Sequence, residues 1–101
     1  MNKKFHIHLY GPTRHMAYQE RLAHLELLED EDGPAGPHPE PQVGLVAAAD
    51  EVTQVDLSAI AEAYSVSILI HPVMEDEVMA HSVRAIWYGE EISLNLNFFR
   101  A

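Results

Sequence analysis

The chain has 101 residues, of which 48% are hydrophobic, and no cysteine; this is the composition of one folded domain without disulfides or thiolate metal sites. Its formal net charge of -10 argues against direct binding to nucleic-acid phosphates and against docking on an anionic membrane. No apolar run approaches the roughly 20 residues of a membrane helix, and no secretory segment is recognisable, so we expect a cytoplasmic protein.

The first half of the chain predicts a strand, a helix and a loop. Residues 4–10 alternate apolar and polar side chains, which is the period-2 pattern of a strand. Thr13 is a candidate N-cap for a helix that runs to about Glu29. Residues 30–42 contain four prolines and two glycines, and they predict an extended loop rich in Pro, Gly and acidic residues.

The second half predicts one helix and four strands. Residues 43–47 form a short apolar run, and Asp56 is a candidate N-cap for a helix whose apolar side chains recur at helical spacing. Residues 65–71 predict a strand. Residues 78–88 and 91–99 then predict a hairpin, because apolar and polar side chains alternate in the last segment.

These elements predict a single small α+β domain over residues 1–101. The order is β-α-β-α-β-β-β, and we expect a mixed or mainly antiparallel sheet with two helices packed on one face. Aromatic side chains gather in the predicted C-terminal hairpin, which makes that hairpin a candidate homodimer interface.

The uneven distribution of charge is the most informative feature of the sequence. From Leu22 to Val83 there is no lysine or arginine, yet this stretch holds 13 of the 16 acidic residues. Several acids lie at the end of the first predicted helix, where the helix dipole makes each of them unfavourable by about 0.3–1 kcal/mol. The presence of these acidic residues indicates either that their charge serves a function or that the helix ends before them. The same surface could serve solubility alone.

We therefore predict an acidic protein-binding module whose partner is a protein with a basic surface, without a cofactor. In its sharpest form it is an inhibitor that mimics nucleic-acid charge against a nucleic-acid-handling protein, of the anti-CRISPR or anti-restriction type. No family motif is matched. The candidate partner-binding residues are Glu26, Glu29, Asp30, Glu31 and Asp32, followed by Glu75, Asp76 and Glu77.

The seven histidines support an alternative interpretation. His6 and His8 share one face of the first predicted strand, which is the arrangement that two metal ligands need. If later strands lie beside the first, His71 and His81 would converge on them and form a His-rich site suited to Zn or Fe. A polar, solvent-facing strand face would give the same pattern. The alternative function is thus a small metal-binding protein or a metal-dependent enzyme that uses His6 and His8.

Overall fold

One antiparallel sheet of five strands organises the protein. The computed structural model describes residues 3–100. The spatial order of the strands is β2-β3-β1-β4-β5, so the first strand of the sequence lies at the centre. The strands are β1 (Lys4–Tyr10), β2 (Glu26–Glu31), β3 (Gln42–Ala48), β4 (Ser67–Pro72) and β5 (Ile86–Tyr88).

Within residues 3–100, four short α-helices accompany the sheet and confirm the predicted α+β class. They are α1 (Arg14–Ala17), α2 (Ala49–Val52), α3 (Leu57–Tyr64) and α4 (Glu77–Ala80). A π-helix, Tyr18–Leu22, follows α1, and a 3₁₀-helix, Leu96–Arg100, ends the described part of the chain. None of the helices within residues 3–100 is long and apolar enough to cross a bilayer.

The two faces of the sheet differ because side chains alternate along each strand. On one face Ile7 and Leu9 are fully buried in a core that also contains Ala17, Leu22 and Ile60. The helical segments that follow β1 and β3 therefore cover this face, as predicted. The opposite face carries the polar residues of β1, and the site described below is built there.

The predicted helix up to Glu29 is wrong in its second half. The helical segment ends at Leu22, and residues Glu26–Glu31 instead form edge strand β2, which pairs with β3. Pairing with β3 satisfies backbone groups that a helix would have satisfied internally, so tertiary structure overrides the local pattern. The acidic residues of this segment thus lie on a strand, and the expected conflict with a helix dipole does not arise.

The predicted C-terminal hairpin is also wrong, apart from a short strand. Asp76 accepts a hydrogen bond from Met79 N at 3.0 Å and starts α4, so the segment from residue 78 begins as a helix. Only Ile86–Tyr88 joins the sheet, and residues 91–95 have no regular structure. In contrast, Asp56 caps α3 as predicted, accepting from Ala59 N at 3.0 Å.

Candidate metal centre

Five histidines from four parts of the chain meet on the polar face of the sheet. His6 and His8 project from β1, and His71 on β4 lies directly opposite His6 in the strand register. His38, from the connection between β2 and β3, lies with its ring centroid 4.3 Å from that of His8. His81 follows α4, and its centroid lies 3.9 Å from that of His71. The central position of β1 is what allows residues so far apart in sequence to form one cluster.

A β-bulge adds a carboxylate to this cluster. Leu27 pairs with Leu45, but the next pair joins Glu29 to Gly44, so Leu28 is an extra residue in β2. Because successive strand residues point to opposite faces, the extra residue places Glu29 on the histidine face. Its Oε1 lies 3.7 Å from His8 Nδ1 and 3.6 Å from His38 Nε2.

Gly44 gives three side chains the space to approach one another. A Cβ atom at this position would lie 2.9 Å from Glu29 Cγ and 3.0 Å from His8 Nδ1. It would also lie 3.2 Å from Gln42 Oε1. Any larger residue must therefore displace part of the cluster, because its neighbours already lie at or inside van der Waals contact.

Hydrogen bonds fix where several imidazoles carry their hydrogen. His71 Nδ1 lies 3.0 Å from Pro72 O, and His81 Nδ1 lies 2.7 Å from Glu77 O. A carbonyl oxygen only accepts, so both Nδ1 atoms donate and both Nε2 atoms keep an unshared electron pair. His8 Nε2 lies 3.2 Å from His71 Nε2, and His8 Nδ1 lies 2.8 Å from Gln42 Oε1. This pattern, a ring whose second nitrogen is held by an oxygen acceptor, is common among histidines that bind metals.

Burial keeps the cluster neutral. Removal from water is the largest cause that lowers the pKa of each of the five histidines, to about 4 for His38 and about 3 for His71. Repulsion between the rings lowers these pKa values further. The same burial raises the pKa of Glu29, against a smaller opposite effect of the Gln42 amide. Neutral imidazole is the form that binds a metal ion, so the cluster is ready to do so at neutral pH.

The cluster offers two sets of three ligand atoms. In each set the atoms lie within 4.8 Å of one another. The first set consists of His6, His8 and His71, and the second of His8, Glu29 and His38. His8 belongs to both. Two imidazoles with one carboxylate is the ligand composition of many non-haem iron oxygenases, whereas three imidazoles also suit zinc or iron.

A cavity of about 450 Å³ gives access to these ligands. All five histidines line it, with Glu29, Glu31 and Glu77. Phe98 and Phe99 add an aromatic wall, their ring centroids 5.3 Å apart in an edge-to-face arrangement. This volume lies in the range of small-molecule sites. A second cavity of about 440 Å³, beyond Tyr10, has no histidine among its lining residues.

Some of the candidate residues named from the sequence line the cavity, and the others do not. His6 and His8 line the cavity with the acidic residues Glu29, Glu31 and Glu77. The other five acidic candidates, Glu26, Asp30, Asp32, Glu75 and Asp76, are not among its lining residues. Asp30 and Asp32 form an exposed group with His15 elsewhere. Asp32 there faces Arg14 at 3.8 Å.

The sequence does not predict three features of the cluster: the parts of His38 and Gln42 in it, and the position of Glu29, a partner-binding candidate, beside the histidines. His38 lies in a loop without periodicity, so no pattern indicated its position. Glu29 reaches the cluster only through the bulge, which the sequence does not mark. Gln42 begins β3 directly after a proline-rich segment, and an isolated glutamine carries no motif.

The fold and the site together define a small α+β protein with a buried histidine cluster at the base of a cavity. Residues 5–98 match the family model of the Dopa 4,5-dioxygenase family, and the chain belongs to this family. It is also similar to a crystal structure from Nostoc punctiforme, described as a "putative dioxygenase", with 28% sequence identity and a TM-score of 0.82. That alignment covers 98% of this chain and 92% of the other. A search of curated proteins found no match.

Family membership corrects the main functional prediction. The chain is not an acidic inhibitor or nucleic-acid mimic of the anti-CRISPR or anti-restriction type, because it belongs to a dioxygenase family and carries a buried histidine cluster. Charge alone does not identify such an inhibitor, since an acidic surface is compatible with many functions. The alternative, a metal-binding protein or metal-dependent enzyme that uses His6 and His8, agrees better with these findings.

Gly44→Ala tests the close approach at the cluster. We expect a loss of about 1–3 kcal/mol in the free energy of unfolding, because the new methyl group must displace Glu29, His8 or Gln42. Gly33→Ala is the matched control, since a Cβ at Gly33 would have no neighbour within 4 Å. Urea unfolding of both variants measures the difference. Equal stabilities would show that the cluster tolerates the extra atom.

The lowered histidine pKa values predict that acid destabilises the protein. In the unfolded chain these imidazoles protonate near pH 6.5, whereas His71 stays neutral in the folded protein down to about 3. Between these values the unfolded state binds more protons, so stability present above pH 6.5 is lost as pH falls. His71→Gln should reduce the slope of unfolding free energy against pH by up to about 1.4 kcal/mol per pH unit. Urea titrations from about pH 7 to 4, with a chelator, measure it. Identical slopes would contradict a neutral His71.

Proposed function

We propose that this protein is a metal-dependent dioxygenase that opens the aromatic ring of a catechol. The observation that carries the proposal is the convergence of five neutral imidazoles on a single cavity, with the Glu29 carboxylate beside two of them. The family name specifies dopa as the substrate and positions 4,5 of its ring. For this chain the proposal is limited to the catechol class. As the sequence predicts, we further propose that it acts in the cytoplasm.

The donor set fits a divalent transition-metal ion. His8 Nε2 and His71 Nε2 lie 3.2 Å apart, a separation that two ligands of one ion can have, since metal–nitrogen bonds are about 2.1 Å. His6 belongs to the same group of ligand atoms. The absence of cysteine also suits an ion that must meet oxygen, because thiolates oxidise. A bound redox-active ion such as Fe(II) supplies the electron transfer that lets O₂ react with an electron-rich ring.

The overall reaction balances without another reductant. Both atoms of O₂ enter the product, one carbon–carbon bond of the ring breaks, and its two carbons become an aldehyde and a carboxylic acid. O₂ is reduced while these carbons are oxidised.

The residues around the ligands have binding and proton-handling roles in this proposal. Phe98 and Phe99 provide an apolar surface against which an aromatic ring can pack. Glu29, whose pKa is raised by burial, is placed to accept a proton from a catechol hydroxyl in the cavity. Burial raises the pKa of Tyr10, so its hydroxyl keeps its hydrogen and forms a hydrogen bond with His38 Nδ1.

Metal loading followed by an oxygenase assay tests the proposal. We expect metal-stripped protein to bind one Fe(II) or Zn²⁺ ion at micromolar concentration and to gain thermal stability. The Fe(II) form should convert dopa or a simple catechol, and mass spectrometry with isotopically labelled O₂ should find both oxygen atoms in a ring-opened product.

Two variants and one control show whether the cluster histidines bind the metal ion. His8→Ala and His6→Ala should each lower metal affinity and turnover at least about 100-fold, more than the 10–100-fold of outer-shell changes. His24→Ala removes an exposed histidine outside the cavity and should change neither. Circular dichroism checks that each variant is folded. Metal binding without O₂ uptake would favour a metal-binding protein over an oxygenase, and no metal binding would contradict both.

A further inference from the structure

His8 can bind a metal ion through either ring nitrogen, and the two nitrogens serve different ligand sets. Nε2 faces His71 Nε2 at 3.2 Å, on the side of the three-histidine set. Nδ1 faces Glu29 Oε1 at 3.7 Å, on the side of the set that contains Glu29 and His38. A neutral imidazole has only one unshared ring electron pair. Whatever holds the hydrogen of His8 therefore decides which set is complete.

Gln42 is the closest polar neighbour of His8 Nδ1. Its Oε1 lies 2.8 Å from Nδ1, which is hydrogen-bond distance, whereas the Glu29 oxygen is nearly 1 Å further away. Gln42 has no solvent exposure, and its position on β3 is fixed by register with Tyr10 of β1. The amide therefore holds its place beside the ring without competition from water.

The surroundings of Gln42 also fix the orientation of its amide. Its Nε2 is buried and has no hydrogen-bond partner among the described residues. The Gln42 amide still lowers the pKa of the Glu29 carboxylate, which is the effect of an N–H group that faces a carboxylate from beyond hydrogen-bond distance. The flipped amide would instead turn its oxygen towards the carboxylate, so that two acceptors would face each other. The amide oxygen consequently belongs on the His8 side, where it needs a hydrogen from Nδ1.

From this arrangement we infer that Gln42 is a positioning residue that selects the metal-binding set. By accepting the Nδ1 hydrogen of His8, it leaves the unshared pair on Nε2, on the side of His71. Two unshared pairs then face each other at 3.2 Å, so this tautomer is the one favoured when a cation lies between the two nitrogens. The set of His8, Glu29 and His38 then lacks a nitrogen ligand, and Glu29 stays available for proton transfer. This inference rests on the proposed metal-dependent function.

A second contact also favours the three-histidine set. The Tyr10 hydroxyl is the hydrogen-bond partner of His38 Nδ1. When it donates to this nitrogen, His38 carries its own hydrogen on Nε2, which faces Glu29 at 3.6 Å. The set of His8, Glu29 and His38 then has no nitrogen with an unshared pair for a metal ion. His71 differs, because its Nδ1 donates to Pro72 O and its Nε2 therefore keeps an unshared pair.

The test compares the unmodified protein with Gln42→Met and Gln42→Glu. Methionine has a similar size but no strong acceptor, whereas glutamate keeps an oxygen at this position. Nitrogen-15 NMR of labelled histidine side chains reports which ring nitrogen of His8 carries the hydrogen, first without metal and then with Zn²⁺ as a diamagnetic probe. Zinc affinity is measured by competition with a chromophoric chelator.

With zinc bound, we expect the hydrogen of His8 on Nδ1 and zinc on Nε2, both in the unmodified protein and in Gln42→Glu. Gln42→Met should lose the fixed tautomer and bind zinc about 10–100-fold more weakly, as is typical when a partner of a metal ligand is removed. Gln42→Glu should recover most of that affinity.

Three results would overturn the inference. A hydrogen on His8 Nε2 in the zinc-bound, unmodified protein would show that the amide is flipped and that zinc does not use this nitrogen. If the unmodified protein binds zinc, and Gln42→Met has the same His8 tautomer and the same zinc affinity, then Gln42 does not select the ligand set, although the metal centre exists. Failure of the unmodified protein to bind zinc would overturn the metal centre itself, and with it the selection.

Discussion

The contact between His8 and Gln42 is the interaction on which the account of this site depends. Five imidazoles packed together would repel one another if they were protonated, and burial keeps them neutral. Neutrality alone does not determine which ring nitrogen is free to bind a metal ion, because either nitrogen can carry the hydrogen. Oxygen acceptors at Gln42, Pro72 and Glu77 lie at hydrogen-bond distance from Nδ1 of His8, His71 and His81, so that Nε2 of each ring keeps its unshared pair.

The sheet is the scaffold that makes this arrangement stable. Its apolar face buries Ile7, Leu9 and Leu45 against the helices, and this burial fixes β1 in the centre of the domain. The polar face of the same strand then holds His6 and His8 rigidly. The bulge at Leu28 and the bare backbone of Gly44 bring Glu29 to within 4 Å of the ring of His8. Core and site are consequently two faces of one element.

The sequence predicted those parts of the molecule that follow from local pattern. Alternation identified β1 and the shared face of His6 and His8, and the spacing after Asp56 identified α3. The sequence could not reveal β2, because residues 26–31 become a strand only by pairing with β3, nor could it reveal the bulge that turns Glu29 inward. His38 and Gln42 acquire their roles from long-range register. The concentration of acidic residues suggested a binding site on the exposed surface. The candidate site lies instead in a cavity lined by neutral imidazoles.

Anomalous diffraction from a crystal of the metal-loaded protein locates the bound ion without reference to activity, and so shows which ligand set holds it. We expect one strong peak within bonding distance of Nε2 of His8, Nε2 of His71 and a ring nitrogen of His6, with His8 Nδ1 still in contact with Gln42. A peak between His8 Nδ1, Glu29 and His38 would contradict the selection by Gln42. A peak confined to the exposed group of His15, Asp30 and Asp32 would contradict the metal centre.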